Sequence, residues 1–385
     1  MLSRWALVSA ATLLYWVVTQ AVRPFVSLRL QDLGADDLTL GVAIAGASIA
    51  GLLLAIPSGR LLDRLPQREV LVASLLGLAV TTACLALPES VPLLVLVMIL
   101  NGVFAMWVWL AQQSIITHAG SGPFRDRQLG LFSLAWGIGL AAGPSVGAVA
   151  YDSAGFGALC AVCTVLCLAA TAAAAGAPSV AAASAGTGAA GEDTFRGSLG
   201  RSLANPVLVS VLLASFVNIY VQSLRVSFYP VYLERAGVSV FRIGLLLSLI
   251  GLSSLVVRAV LPAATRRFGE FRLLLWSTWL AIGGVVLTPF APQFATLVLG
   301  ALLIGVGLGA NAPITVTMVA HHSEARERGL AVGLRMVANR SAQVAQPLLF
   351  GGIASVVGLG LAFPASAAVL AGLTVWMGLR LRRAR

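Results

Sequence analysis

Gly59-Arg60-Leu61-Leu62-Asp63-Arg64-Leu65-Pro66-Gln67-Arg68 is a short polar bridge between two long apolar runs, and it packs three arginines and one aspartate into a tight turn. A helix needs about 20 apolar residues to cross a bilayer's hydrocarbon, and the flanking runs are long enough. Composition places the whole chain in the same solvent. Its 385 residues are 59% hydrophobic and 10% charged, with a mean hydropathy of +0.95, where a soluble domain is about a quarter charged. A water-soluble globular protein is excluded. The first 21 residues have the charged start and apolar run of a signal peptide. The run continues through Val22, Phe25, Val26 and Leu28 into further apolar segments, so it reads as an uncleaved first span.

Hydropathy predicts twelve spans, at 5–28, 38–57, 69–88, 92–116, 129–150, 156–175, 205–232, 241–262, 271–290, 293–319, 329–356 and 360–380. The net charge of +11 is carried entirely by arginine on the basic side. Arg60, Arg64 and Arg68, Arg125 and Arg127, Arg196 and Arg201, Arg266 and Arg267, and Arg326 and Arg328 occupy alternate loops. The opposite loops hold Asp32, Asp36, Asp37, Glu89 and Asp152, with Arg29, Arg235 and Arg242 as exceptions. That is a positive-inside distribution rather than a nucleic-acid stripe. Arg4 and the Arg380–Arg385 cluster put both termini on the arginine side, so both are expected in the cytoplasm, with an inner or plasma membrane as the location.

The chain is expected to divide into a bundle at 1–175, a flexible Ala/Gly/Ser-rich linker at 176–204 and a second bundle at 205–385. The two bundles repeat one another. A shift of 203 residues takes Gly34 to Gly237, Gly41 to Gly244, Arg64 to Arg267, Gly102 to Gly305, His118 to His321, Arg125 to Arg328, Gly130 to Gly333 and Pro144 to Pro347. Apolar letters align by chance; glycines, prolines and loop arginines at one ungapped offset indicate duplication of a six-span unit.

The Gly-x-x-x-Asp-Arg turn at Gly59, Asp63, Arg64 and Arg68 resembles the cytoplasmic signature loop of the major facilitator superfamily, although the family favours glycine where Pro66 stands. An ordinary basic loop anchoring two spans is the plainer reading of those residues. A second motif lies in span five. Gly130, Gly139, Gly143, Pro144 and Gly147 are similar to the antiporter motif of the drug/proton exporters of that family, with Ala148 at its last glycine. Gly139, Gly143 and Gly147 recur every four residues and form one smooth helical stripe, which also suits static packing. The resemblance implies an all-α membrane protein of twelve transmembrane helices in two pseudo-symmetric six-helix bundles. It also implies that Asp63 caps the amino end of span eleven. Arg64 and Arg68 are within expected reach of Asp126.

Charges inside spans are costly and face a cavity or a partner. Arg23, Arg225, Arg258 and Arg335 stand near span ends, where snorkelling to the interface explains them equally well, whereas Arg340 falls near the bilayer centre beside Asn339. Spans one, four, seven and ten line the pathway in the superfamily. On them stand Tyr15, Trp16, Thr19 and Gln20; Asn101, Trp107, Trp109, Gln112 and Gln113; Asn218, Tyr220 and Gln222; and Asn311, Thr315 and Thr317. Each serves a substrate cavity or inter-helical bonding equally well. No acid stands at mid-span, and His118, His321 and His322 sit at cytoplasmic span ends. Cys84, Cys160, Cys163 and Cys167 read as apolar packers.

The expected function is alternating-access transport, foremost proton-coupled efflux of small amphipathic or drug-like compounds. An importer or facilitator of an organic anion, and a non-transporting sensor or scaffold on the same fold, are the alternatives. No nucleophile–base pair or metal-ligand cluster suggests an enzyme. The expected partners are a small-molecule substrate, protons and the lipid bilayer, with no nucleic acid, metal or cofactor, and the chain is expected to work as a monomer. Asp63→Asn is expected to impair transport while leaving membrane insertion intact; unchanged uptake kinetics in vesicles would count against the gating role.

Overall fold

The computed structural model describes residues 2–62, 65–117, 122–178, 199–202, 204–290, 293–323 and 327–383, and helices account for nearly all of them. The first four are α1 (Leu2–Asp32), α2 (Asp37–Leu62), α3 (Gln67–Cys84) and α4 (Val91–Thr117). A helical stretch Pro123–Ala175 follows, broken by non-helical backbone at Ala154 and Gly155. Its part 123–153 is α5 and its part 156–175 is α6. Then come α7 (Pro206–Val226), α8 (Phe228–Arg235), α9 (Val240–Phe268), α10 (Glu270–Phe290), α11 (Phe294–His322), α12 (Arg328–Val357) and α13 (Leu359–Arg383).

Nine stretches among the described residues are long and apolar enough to cross a membrane. One of them, Arg127–Ala175, crosses twice as α5 and α6. Twelve spans are reached with α2 and with α12, whose apolar run is diluted by Arg335, Asn339, Arg340, Gln343 and Gln346. Large apolar side chains such as Leu53, Val80, Leu96, Val260 and Val369 remain uncovered by protein, as hydrocarbon-facing surface requires.

Two spans depart from the lengths expected of them. The third ends at Cys84 rather than near 88, where turns lead into Pro88. The seventh is interrupted at Ser227 (φ −103°, ψ −80°) and resumes as α8. Pro230 explains the interruption: it has no N–H to donate to the carbonyl of Val226, four residues back.

The duplication is written into the backbone. Gly34 (φ 84°) and Gly237 (φ 80°), 203 residues apart, both occupy the left-handed region just past a helix end. Each turn closes with the same pair of bonds: Gly34 N–H to Gln31 and Ala35 N–H to Leu30 in one, Gly237 N–H to Glu234 and Val238 N–H to Leu233 in the other. Gly155 (φ 77°) and Gly358 (φ 84°) are a second such pair. The signature turn breaks the rule. Gly269, at φ 80°, answers to Pro66, whose ring holds φ at −60°.

Two compact units are present: Met1–Gly186 with Ser227–Gly251, and Thr187–Val226 with Leu252–Arg385. In the first, α1 lies in the glycine stripe of α5. A carbon added at Gly143 would come within 2.6 Å of Gln20 Cβ and 2.8 Å of the Val17 carbonyl oxygen, and one at Gly147 within 2.7 Å of the Ala21 carbonyl oxygen. Gly139 is likewise closed off by Trp16. The other flank of α5 takes the start of α9, where Gly244 rests on Ala148 and the Pro144 carbonyl and Gly251 on Leu140. The second unit uses the same device between α10 and α11. There Gly307 abuts Ala281, Gly284 abuts Gly300 and Ile304, and Asn311 donates to Thr278 Oγ1 at 3.1 Å.

The contacts at Gly143 are backbone and Cβ atoms, which cannot swing aside, so Gly143→Val is expected to destabilise the protein by about 1–3 kcal/mol through overpacking. Gly130→Ala, in the same motif but with nothing within 4 Å of the added carbon, is expected to raise stability by up to about 1 kcal/mol, the helix preference of alanine over glycine. Thermal unfolding of both variants in detergent checks the contrast.

Candidate functional site

The arginine-side turn is described only in part. Asp63 and Arg64 lie outside the described residues, as do His118 and the side chains of Arg60 and Asp126; Gly59 is helical backbone within α2. Arg68 is described, and its guanidinium donates to the carbonyl of Ala175 at the end of α6. A cation there meets the unpaired carbonyls and negative dipole end of that helix.

In the second unit an acid stands at the amino end of α12, the helix end that Asp63 is expected to cap. Glu327 immediately precedes α12 and accepts from Arg201 Nη2 at 2.6 Å and from Arg201 Nε at 2.8 Å. A carboxylate beside a helix amino terminus is favourable, and this one is supplied locally. Asn205 caps α7, its Oδ1 accepting from Val207 N–H at 2.9 Å, while its amide donates to the His322 carbonyl at 3.2 Å. His321 lies 2.9 Å from Glu270, and His322 Nδ1 lies 3.1 Å from the Met318 carbonyl.

The cavity candidates separate by what their polar atoms do. Tyr15 donates to the Ala105 carbonyl at 2.8 Å, joining α1 to α4. Asn218 donates to the Leu308 carbonyl at 3.4 Å and Tyr220 to Ser366 at 3.3 Å, tying α7 to α11 and α13. Asn101 donates to Thr81 and Thr82, and Trp107 to Ser58 at 2.8 Å. These bonds hold helices together within a unit. Arg335 donates to Thr315 at 3.4 Å, and Arg340 to Gln343, one turn on, at 2.9 Å. Arg225 is buried, as is Gln20; Arg23 is exposed; Gln113, Gln222 and Asn339 are half-buried.

Gln112 differs from all of these. It is 0% exposed, and neither amide atom has a hydrogen-bond partner among the described residues. One turn away on α4, Trp109 stands edge-on to Trp16 at 5.5 Å, and Trp16 meets Trp136 at 5.7 Å and Tyr15 at 5.3 Å. The indole N–H of Trp16 is also buried without an acceptor among the described residues. Buried amides and indoles are nearly always hydrogen-bonded, so this aromatic cluster, with two polar groups lacking partners among the described residues, is the candidate binding feature of the first unit. Cys160, Cys163 and Cys167, on the other hand, are free thiols buried in the bundle, consistent with packing.

A further polar group was not legible as one from the sequence. At the turn between α1 and α2, Gln31 Nε2 donates to Glu234 Oε2 at 2.7 Å. Arg235 Nε donates to Gln31 Oε1 at 2.8 Å, and its Nη1 pairs with Asp37 at 2.8 Å. Tyr151 leans on Asp32 at 3.4 Å, and Arg29 donates to the Pro88 carbonyl at 3.1 Å. Burial, reinforced by the charge of Asp32, pushes the Glu234 carboxyl above its ordinary range. Asp36, outside the network, is held below its ordinary range by hydrogen bonds from Thr39 as it caps α2. The one available signal was the repeat offset, which makes Gln31 and Glu234 equivalent positions.

The family model of the Major Facilitator Superfamily matches residues 8–289 and 263–385. A multi-drug resistance efflux pump PmrA homolog of Lactococcus lactis is 26% identical over 314 residues, 76% of this chain and 73% of its own length. An uncharacterized MFS-type transporter of Methanocaldococcus jannaschii is 20% identical over 354 residues, 88% of each. Among solved structures, the nucleoside transporter NupG superposes with a TM-score of 0.79 at 15% identity, covering 98% of both chains. A bacterial homolog of the human lysosomal transporter Spinster gives 0.77 at 14%, covering 98% of this chain and 96% of its own.

Two substitutions separate structural from ligand-facing polar groups. Tyr15→Phe is expected to cost about 1 kcal/mol of stability, the net value of one buried bond, with substrate KM unchanged. Gln112→Leu is expected to raise stability by about 1–3 kcal/mol, because an unpaired buried amide is removed, while raising KM. Melting curves and uptake kinetics on the same preparations decide both.

Proposed function

The chain belongs to the major facilitator superfamily of membrane transporters, and on that premise we propose that it exports small amphipathic or drug-like compounds in exchange for protons, by alternating access. It is a transporter rather than an enzyme. The observation that carries the exporter reading is the α5 stripe. Gly139, Gly143 and Gly147 admit the backbone of α1 to contact distance, and Pro144, whose carbonyl meets Gly244, interrupts the bonding of the same helix. A smooth groove beside a proline bend allows one helix to tilt against another without side chains interlocking. The tryptophan cluster with Gln112 supports an aromatic, amphipathic substrate, since stacking and an amide recognise flat molecules without demanding a fixed hydroxyl pattern. The 26% identical efflux pump homolog points the same way.

The arginine asymmetry supports cytoplasmic termini and insertion in the cell's inner or plasma membrane. In this reading the chain acts as a monomer, with the signature turn at Gly59, Asp63, Arg64 and Arg68 serving the cytoplasmic gate. The rival reading, a carrier of organic anions, draws on Arg340, half-buried in α12 with a neutral amide as its partner. An arginine there is able to hold a carboxylate or phosphate.

Proteoliposomes with an imposed pH gradient and a panel of cationic, neutral and anionic amphiphiles test the proposal. The expected result is gradient-driven movement of cationic or neutral compounds, collapsed by a protonophore and retained in Arg340→Gln. Movement of anions alone, lost in Arg340→Gln, establishes the rival; inert vesicles reject both.

A further inference from the structure

We propose that Glu234 is a proton-binding site that operates a latch, formed with Gln31, Asp37 and Arg235, at the end of the first unit where α1 turns into α2. This rests on the alternating-access reading above and adds to it the group through which protons act.

The geometry begins with Arg235. A guanidinium only donates, so the Gln31 oxygen that faces it at 2.8 Å must be the acceptor, and the Gln31 amino group is left to face Glu234 at 2.7 Å. The amide therefore cannot flip, and the carboxyl of Glu234 is read through a relay of fixed polarity. The other arm of Arg235 holds Asp37 at the start of α2. A single short helix, α8, thus grips both sides of the α1–α2 turn.

The charges around Glu234 are unbalanced. From α1 come Asp32 and Arg29, from α2 Asp37, from α5 Tyr151, and on α8 itself Arg235. Arg235 is committed to Asp37 and Arg29 to the Pro88 carbonyl, while Tyr151 adds a hydroxyl on Asp32. Half-buried Glu234 is left beside exposed Asp32, two carboxylates close enough to repel. One proton relieves their repulsion and the cost of burying Glu234 as an anion. In the open state Glu234 is solvated as Asp32 already is, and it returns to the ordinary glutamate range of about 4.3. The group's value is raised in the latched state. Closure is therefore strongest below the ordinary range and weakens as pH rises through the latched value.

The latch has something to hold. Ser227 breaks the helix behind α8, giving it a joint to the rest of the span. Beyond the Gly237 turn, α9 is fastened to α5. Ser145 N–H donates to Ser248 Oγ at 3.0 Å, the two hydroxyls lie 2.7 Å apart, and Gly244 sits on the Pro144 carbonyl. Releasing α8 frees the start of α9 to leave α5, along the flank of the antiporter-like motif.

The test uses the full chain in proteoliposomes, with native cysteines replaced and one reporter, Ser248→Cys, labelled by a membrane-impermeant maleimide. Rates are normalised to Leu87→Cys, a 73% exposed position beside Pro88 at the same end, which cancels the pH dependence of the thiol reaction. The expected result is a normalised rate that rises several-fold from pH 4.5 to 8. Glu234→Gln should hold it low and flat, and Arg235→Ala should raise it at every pH. A wild-type pH response retained in Glu234→Gln, or wild-type labelling in Arg235→Ala, overturns the latch. Labelling needs no substrate, so vesicles that label as expected but transport nothing reject the transport reading and leave the latch standing.

Discussion

Hydrocarbon offers no hydrogen bonds, and every other feature of this protein follows from having to make them internally. The backbone answers by remaining helical. Hydroxyls answer by bonding to their own helix, as Thr12 does to Val8, Ser210 to Pro206, Thr278 to Leu274 and Thr374 to Leu370. Amides, with more groups to satisfy, reach across to neighbouring helices: Asn101 to two threonines of α3, Asn311 to Thr278 of α10. Against that accounting the amide of Gln112, without a partner among the described residues, stands out.

With no hydrophobic force between helices in lipid, close backbone approach has to supply the packing. Glycine is the means, and α5 uses it on two flanks at once: one for α1, the other for the start of α9. Motion of α9 at that flank is therefore mechanically adjacent to the position of α1, which carries Trp16 and Gln20. In the proposed reading the binding cluster and the latch meet on α5, which gives a proton bound at Glu234 a short physical route to the aromatic side chains.

Much of this was legible beforehand for a simple reason. Spans, the duplication and the glycine stripe depend on residue type at fixed spacing along one chain. The offset of 203 even foretold backbone geometry, since paired glycines at 34 and 237 reach the same left-handed turn. Pairings across space were not legible. Nothing local to Glu234 tells that it meets Gln31, or that Tyr15 spends its hydroxyl on a carbonyl of α4. Nor does a count of apolar residues reveal that Pro230 costs the seventh span its continuity at Ser227, because hydropathy is blind to a missing N–H.

The repeats diverge where function demands it. The positions equivalent to Gly139, Gly143 and Gly147 are Ala342, Gln346 and Phe350, each 0% exposed. A methyl, an amide and a ring fill on α12 the space that α5 leaves open, and Phe350 is locked edge-on against Phe363 of α13 at 4.9 Å. Larger buried side chains hold a helix at a distance and in register, interlocked with neighbours that cannot slide past. A bare stripe permits sliding with little change in contact. One ancestral span has thus become two different parts, a smooth bearing in α5 and a keyed strut in α12. On the proposed transport reading, the seam of the first unit that moves is the one lined by the α5 glycines.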